Sequence, residues 1–471
     1  MTALNKLLRT LWRLAAGGGL LGLMVWAGAR PLRAQEGGWA PLELLYEGSG
    51  RVDFPVLVAD AYGQVHAFWV FAEGEFGTAG TPLLVYYSRL DSPNWQPLDI
   101  FIARGNGNGL TGAAGANGLG LLVNGGDFVW SGPSPKRTAK EWYGPVSLQQ
   151  AYPNADLGTA PDGALWMAYG TTTGEIDVQR QDPSTGQWEA PRLVGDTANA
   201  NAAPDWVKVA FSEDGTLHVV WSEFQLPNGW PPMGLYYARS ADNGATWNRQ
   251  RLATGGYNQP NVVTGADGAV YLTWTGIAGV AGKYFQESQD GGLTWGEVET
   301  LLPGGTGGGS EGPPNLAVDS VGGLHVIYSN LGCLWYLSRA PGGEWSEPEC
   351  ISAELGQGQV LEAPTMAISM GNVLHVLFWT ERRQMWHTSL TLDVPGYAPL
   401  EIPIIPTATP VPPTATPAPT ATTTPLPDFG PAPTTEMVTG PGLFSIAAGA
   451  APVVVLVLLV LAGRRRGLDR R

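Results

Sequence analysis

Two octapeptides of this chain share the pattern S-x-D-x-G-x-T-W, and they begin 48 residues apart. An Asp in such a segment can accept backbone N–H bonds within a tight turn, and a Gly can take the positive φ that the turn requires. The closing Trp can bury a large aromatic surface. The patterned residues are Ser240, Asp242, Gly244, Thr246 and Trp247 in the first copy and Ser288, Asp290, Gly292, Thr294 and Trp295 in the second.

The two octapeptides belong to a longer repeat. A Trp followed by a short β-rich run recurs at intervals of 46 to 59 residues, and a partial copy of the octapeptide, Ser338 to Trp345, keeps the Ser, Gly and Trp. A period of this length in a Gly-rich chain predicts a β-propeller or a repeat array. The repeated tryptophans are Trp39, Trp95, Trp142, Trp188, Trp247, Trp295 and Trp345.

Each unit is typical of four short strands separated by turn residues. The first Trp run, at Trp39, precedes any complete unit, whereas the last unit, from Pro364 to Leu392, has no Trp run of its own. An N-terminal strand is therefore expected to complete the last blade, which removes the open edges of the array. We predict an all-β propeller of seven four-stranded blades. The second unit, around 105–150, is the weakest, and the ring has six blades if that unit is an insertion.

The octapeptides resemble the Asp-box, the bacterial-neuraminidase (BNR) repeat of the sialidase-like β-propellers, and the resemblance covers roughly residues 36–400. It implies that the Asp-box is a structural turn far from the catalytic face. Members of that family hold the sialic carboxylate with three arginines, and they use a Tyr nucleophile assisted by Glu and an Asp acid/base. The first of these arginines lies in an Arg-Ile-Pro motif. Here the stretch is Arg51-Val-Asp-Phe-Pro55, so Asp53 takes the expected arginine position.

Three convergent guanidiniums cannot be assigned, so the resemblance carries over no catalytic residue. A bidentate Arg–carboxylate grip is hard to replace, and its absence argues against sialidase activity. Two long loops, Phe71–Thr81 and Ser222–Pro232, are expected on the face opposite the Asp-boxes. Their carboxylates and aromatic rings suit a neutral glycan, supply the minimum for glycoside hydrolysis, or are ordinary solvated residues. The candidate ligand-binding residues are Glu73, Glu75, Phe76, Glu223, Phe224 and Trp230, together with Arg382 and Arg383.

Four of the five histidines, His66, His218, His325 and His375, occupy one position in four different repeats. Residues that are equivalent in this way are spread around a ring and do not converge, so a structural role is expected rather than metal binding. No metal or cofactor is predicted, since no phosphate-binding or dinucleotide motif stands between a strand and a helix.

The two cysteines, Cys333 and Cys350, flank an expected hairpin turn. They are predicted to face each other across adjacent strands, within disulfide reach. An oxidising extracellular compartment favours the disulfide.

Both ends of the chain are typical of membrane targeting. Residues 1–34 resemble a signal peptide, with an uncleaved anchor as the alternative. A Pro/Thr-rich linker is expected at 403–437, a transmembrane helix at 442–463 and a basic cytoplasmic tail at 464–471. The resulting prediction is a single-pass membrane protein with an extracellular propeller.

The part of the chain outside the signal and tail carries 16 basic and 40 acidic residues. This acidic balance argues against nucleic acid as a partner. The sequence therefore favours a monomeric, membrane-anchored, sialidase-like propeller that binds surface glycans or proteins. The alternatives are an active exo-sialidase or other glycoside hydrolase, and a purely structural stalked protein.

Overall fold

The computed structural model describes residues 38–400, except 74–80, 106–108, 117, 124–125, 133–138, 148–154, 200, 228, 230–231, 278, 303–311 and 357–359. These residues belong to the first of two compact units, Met1–Ile404. Within this described part, no helix is long and apolar enough to cross a membrane. The predicted signal peptide, linker, transmembrane helix and tail lie outside the described residues.

The described chain forms seven antiparallel sheets. Blade 1 contains β2 (Arg51–Ala59), β3 (Val65–Ala72), β4 (Thr81–Asp91), β5 (Asn94–Trp95) and β6 (Asp99–Gly105), and blade 2 contains β7 (Leu110–Gly115), β8 (Gly118–Val123), β9 (Asp127–Trp130) and β10 (Tyr143–Ser147). Blade 3 contains β11 (Asp156–Thr159), β12 (Leu165–Gly170), β13 (Glu175–Arg180) and β14 (Arg192–Asp196), and blade 4 contains β15 (Ala202–Phe211), β16 (Leu217–Gln225), β17 (Pro232–Ser240) and β18 (Asn248–Thr254). Blade 5 contains β19 (Tyr257–Thr264), β20 (Val270–Gly276), β21 (Gly282–Ser288) and β22 (Glu299–Leu302), and blade 6 contains β23 (Asn315–Val318), β24 (Leu324–Asn330), β25 (Cys333–Arg339) and β26 (Glu349–Cys350). Blade 7 contains β27 (Leu361–Ser369), β28 (Val373–Thr380), β29 (Gln384–Thr391) and, from the N-terminal end, β1 (Glu43–Glu47).

The N-terminal strand closes the ring. Strand β1 pairs antiparallel with β29, with Glu43 opposite His387, and so becomes the outer strand of blade 7. The pairing confirms the closure that was predicted because the Trp39 run precedes any complete unit. The weak second unit is a complete four-stranded blade, so the count is seven rather than six. Blade 1 departs from the prediction of four strands, because β5 and β6 both pair with β4 and its outer strand is divided in two.

The repeated tryptophans join the blades. The Trp of one blade packs edge-on against the third strand of the preceding blade, as Trp295 does on Tyr237 with ring centroids 4.9 Å apart. Such aromatic pairs contribute roughly 0.5–1.5 kcal/mol beyond the area that they bury. Equivalent contacts join Trp39 to Tyr336, Trp95 to His387, Trp142 to Tyr87, Trp188 to Phe128 and Trp345 to Phe285. The contact from Trp95 to His387 links blade 1 to blade 7.

Both Asp-boxes form the expected hydrogen-bonded turn between the third and fourth strands. Asp242 accepts the backbone N–H of Thr246 at 2.9 Å and its hydroxyl at 2.6 Å. Asp290 makes the same two bonds with Thr294, at 2.8 and 2.6 Å. These bonds lower the pKa of each Asp to about 2, because they stabilise the ionised carboxylate.

The partial copy in blade 6 is displaced by one residue from its sequence alignment. Leu324 pairs with Arg339, as Leu217 pairs with Ser240 in blade 4. Arg339, and not Ser338, therefore occupies the position of the box Ser. In the same blade a disulfide joins Cys333 to Cys350 between β25 and β26, with Cα atoms 5.9 Å apart.

Candidate functional site

The ring has two faces with different turns. We call the end that carries the Asp-box turns the lower face. The upper face is the opposite end, which carries the second-to-third-strand turns, such as Thr380–Gln384, and the links between blades. The innermost strand of each blade lines the central channel of a propeller.

Four innermost strands contain the same bulge. Each has an irregular register at a non-glycine residue whose φ lies between 50° and 54°. Left-handed backbone costs an ordinary residue roughly 1 kcal/mol, and a bulge of this kind re-aims the neighbouring side chains. The residue just before the left-handed one is polar in every case. The pairs are Asp53 with Phe54, Asp205 with Trp206, Asn258 with Gln259, and Glu362 with Ala363.

Two of these polar residues form an ion cluster with two arginines at the junction of blades 7 and 1. Arg51 Nη2 lies 3.0 Å from Asp53 Oδ2, and Arg382 Nη1 lies 3.4 Å from the same oxygen. Arg382 Nη2 lies 3.5 Å from Glu362 Oε2. The guanidinium of Arg382 also lies over the buried Trp379 ring, 5.2 Å from its centroid. Two cations and two carboxylates therefore compensate each other.

The turn that carries Arg382 is fixed against blade 1 by its backbone. The carbonyl of Arg382 accepts the N–H of Val52 at 2.8 Å, and the carbonyl of Arg383 accepts that of Gly48 at 3.2 Å. Arg382 itself has φ 52°, so the turn holds its side chain in an uncommon backbone conformation. The cluster is therefore positioned by the closure of the ring.

Burial differs within the cluster. Asp53 is only 5% exposed, and burial raises its pKa, although the N–H of Phe54 and the charge of Arg51 oppose this effect. The side chains of Arg382 and Glu362 are 40% and 30% exposed. The cluster thus presents a guanidinium and a carboxylate to solvent above a buried acid.

Two other predicted ligand-binding residues, Glu223 and Phe224, lie in blade 4, apart from this cluster. Glu223, in blade 4, is fully buried and accepts the N–H of Ala198 at 3.0 Å and the indole N–H of Trp221 at 3.1 Å. Burial raises the pKa of this carboxyl. Phe224 beside it is half-buried, whereas Glu73 in blade 1 is exposed.

Arg383 is exposed, and its side chain does not join the ion cluster. Glu75, Phe76 and Trp230 lie outside the described residues. The predicted loop residues are therefore not brought together in the part of the chain that the structure describes.

The repeat-equivalent histidines are hydrogen-bonded inside the blades. His218 lies 2.8 Å from Ser212 Oγ and 2.7 Å from Tyr237 Oη. His66 and His325 make the corresponding contacts to an Asp and a Tyr, and His375 contacts Ser369 and His387. No group of three His, Cys, Asp or Glu suited to a metal ion occurs among the described residues.

Sequence reasoning did not identify Glu362 as a member of the site. A usable signal was present, since Glu362 stands two residues before Pro364, as Asp53 stands before Pro55 and Asn258 before Pro260. Aligning the repeats on this proline places three of the four polar bulge residues at one position, whereas Asp205 directly follows Pro204.

Part of the chain matches a known protein family. Residues 163–353 match the family described as a BNR repeat-like domain. Residues 163–353 thus carry BNR-like repeats within a seven-bladed β-propeller, as the Asp-box resemblance predicted. No curated protein matches the chain in sequence.

Several solved structures are similar to parts of this chain. A Hadza microbial sialidase is 13% identical, with a TM-score of 0.44 over 73% of this chain and 66% of that one. An α-L-arabinanase of Penicillium chrysogenum, in complex with arabinobiose, is 13% identical, with a TM-score of 0.42 over 75% of this chain and 98% of that one. The NanB sialidase of Streptococcus pneumoniae is 11% identical, with a TM-score of 0.44 over 75% and 71%. At these values the likenesses carry no argument about fold or activity.

Proposed function

We propose that the protein is a carbohydrate-binding propeller whose upper face contacts a glycan at the junction of blades 7 and 1. The observation that carries this proposal is the charge-compensated cluster of Arg51, Asp53, Glu362 and Arg382. The match to the BNR family supports a glycan-related role.

The cluster suits hydroxyl groups better than a ligand carboxylate. A sugar hydroxyl both donates and accepts, so it can bridge the half-exposed Arg382 and Glu362. A sialic carboxylate would have to displace Asp53 from both guanidiniums. The displaced Asp53 carboxylate would then be buried without a cation, because the residue is shielded from solvent. An uncompensated buried charge is costly. A neutral glycan is therefore the ligand proposed.

A glycan array probed with the purified full-length protein tests the proposal. Wild type should bind neutral glycans in preference to sialylated ones. Arg382→Ala and Glu362→Gln should each weaken that binding about tenfold, because each removes one side of a charge-assisted contact. Arg383→Ala is the matched control, since it removes the same charge from the same turn without touching the carboxylates.

Equal losses in Arg382→Ala and Arg383→Ala, with none in Glu362→Gln, would mean that general positive surface charge drives binding. Binding to immobilised protein ligands but to no glycan would replace the glycan with a protein partner. Absence of both would leave a structural stalked protein.

An exo-glycosidase is the second candidate function. The observation in its favour is that Arg382 brings together two carboxylates, of which Asp53 is buried with a raised pKa while Glu362 is half-exposed. Glycoside hydrolysis needs one protonated acid and one ionised carboxylate. Turnover of a glycoside that Asp53→Asn abolishes would favour this candidate.

The cellular location proposed for the protein rests on the sequence. Residues 1–34 and 442–463 support an extracellular propeller on a single C-terminal membrane anchor, with 403–437 as the spacer. Protease treatment of intact cells should release a propeller-sized fragment. A propeller that is protected until the cells are lysed would contradict this orientation.

A further inference from the structure

A cavity lies on the lower face, away from the proposed glycan site on the upper face. It has a volume of about 490 Å³ and lies between blades 5 and 6. Its walls are the turns that contain Asp267, Val321 and Pro341, and Tyr271, Glu287 and Arg339 also line it. Cavities of this size accommodate small molecules.

Tyr271 interrupts a hydrogen-bonding pattern that the other blades keep. It occupies the position of His218, whose ring bonds to Ser212 in the first turn of its blade and to Tyr237 on the third strand. Blade 5 has lost both partners, because Gly265 stands in place of the Ser and Phe285 in place of the Tyr.

The Tyr271 hydroxyl therefore has no partner from the blade. Tyr271 is 6% exposed, lines the cavity, and forms no hydrogen bond with any residue that the structure describes. The ring of Tyr271 is buried, whereas its hydroxyl is open to the cavity and not sealed from solvent. A ligand in the cavity would supply the missing hydrogen bond.

The charges around the cavity favour a cation. Arg339 is stacked on Phe285 and Trp345, with its guanidinium carbon 4.6 and 4.9 Å from the ring centroids. Its terminal nitrogens contact Glu299 at 3.0 Å and Glu287, so two carboxylates offset its charge. Asp267 adds a further exposed carboxylate at the rim.

Charges of both signs act on the Tyr271 hydroxyl, since Arg339 opposes the two carboxylates. The charges of Asp267 and Glu287 act with burial, the larger cause, to raise the pKa of this hydroxyl. The cavity thus combines an excess of negative charge with a hydroxyl that opens into it and has no partner among the described residues.

We propose that this cavity binds an amino sugar, a pyranose with a free ammonium group. The ammonium would face the carboxylates of Asp267 and Glu287, a ring hydroxyl would bond to Tyr271, and the C–H face of the ring would contact Pro341 and Val321. This site is independent of the upper-face proposal, because it lies at the opposite end of the ring.

Isothermal titration calorimetry of the full-length protein tests this inference. Glucosamine should bind at least tenfold more tightly than N-acetylglucosamine, which has the same ring without the positive charge. Asp267→Asn should weaken glucosamine binding about tenfold, and Tyr271→Phe about fivefold. Tyr271→Phe keeps the ring that stacks on Phe285, so it should fold even if the other variant does not. Asp214→Asn is the matched control, because Asp214 holds the same exposed turn position in blade 4, and it should leave glucosamine binding unchanged.

Three results would overturn the inference. The first is equal affinity for the two sugars, which would remove the role of the charge. The second is that glucosamine binding stays undetectable, either at concentrations at which other sugars saturate the wild-type protein or up to the solubility limit of the titration. The third is loss of binding in Arg382→Ala with none in Tyr271→Phe, which would place the sugar on the upper face and leave the glycan proposal standing.

Discussion

Acid should destabilise the propeller through its buried histidines. Burial lowers the pKa of His218 and of His375 to about 4, from the ordinary value of 6.5. The folded chain then binds fewer protons than the unfolded chain between about pH 4 and pH 6.5. The free energy of unfolding therefore falls as the pH is lowered through this window.

The magnitude follows from those two pKa values. Integrating the linkage relation from pH 7.5 to pH 5.0 gives a loss of about 2 kcal/mol for each of the two histidines. Burial also lowers the pKa values of His66, His325 and His387, which adds to the loss. Because whole domains are stable by roughly 5–15 kcal/mol, a loss of 4 kcal/mol or more should be plainly measurable.

Urea unfolding followed by tryptophan fluorescence at pH 7.5, 6.5, 5.5 and 5.0 measures this loss. His218→Gln keeps a hydrogen-bonding side chain that does not titrate, so it should reduce the fall by about 2 kcal/mol. Tyr271→Phe is the matched control at the equivalent position in blade 5, and it should leave the fall unchanged. A stability that is flat from pH 7.5 to 5.0, or a fall that His218→Gln does not reduce, would refute the reasoning.

Three further perturbations test the contacts between and within the blades. Arg339→Met should lower the free energy of unfolding by about 2 kcal/mol in urea titrations, because it leaves Glu287 and Glu299 without their cation; an unchanged midpoint would contradict the inter-blade role. Replacing Cys333 and Cys350 by Ser should lower it by about 3 kcal/mol, since the disulfide closes a loop of 17 residues; reduction of the wild type should give the same midpoint if the disulfide is responsible. Asp242→Ala should lower the thermal midpoint without altering glycan binding, because its turn lies on the lower face; a loss of glycan binding in the folded variant would contradict that separation.

Much of the fold could be predicted because the chain repeats itself. The Trp period set the number of blades, and the Trp39 run without a unit of its own indicated the closure that β1 and β29 form. Blade 2 was hard to recognise in the sequence because its strands are rich in glycine. A Cβ on Gly118, for example, would lie 1.8 Å from the carbonyl oxygen of Gly132.

The candidate site could be predicted only in part. Arg382 was a candidate from its place after the second strand, but its partners Asp53 and Glu362 come from two other strands. Their meeting depends on the bulges and on the packing of blade 7 against blade 1, which no local pattern encodes. Glu223 was expected in a loop, yet it continues strand β16 and turns inward to Ala198 and Trp221.

The lower-face cavity was not anticipated from the sequence. It depends on a one-residue displacement that puts Arg339 in the position of the box Ser, and on two substitutions that remove the partners of Tyr271. Each change is visible only when the strand registers are compared blade by blade.

Turnover of a fluorogenic sialoside and a panel of neutral glycosides by the full-length protein tests the central claim most directly. We expect no turnover of any substrate by wild type, together with neutral-glycan binding that Arg382→Ala weakens and Arg383→Ala does not. Turnover of a substrate that is lost in both Asp53→Asn and Arg382→Ala, with the fold retained, would contradict the binding function and make the junction of blades 7 and 1 an active site.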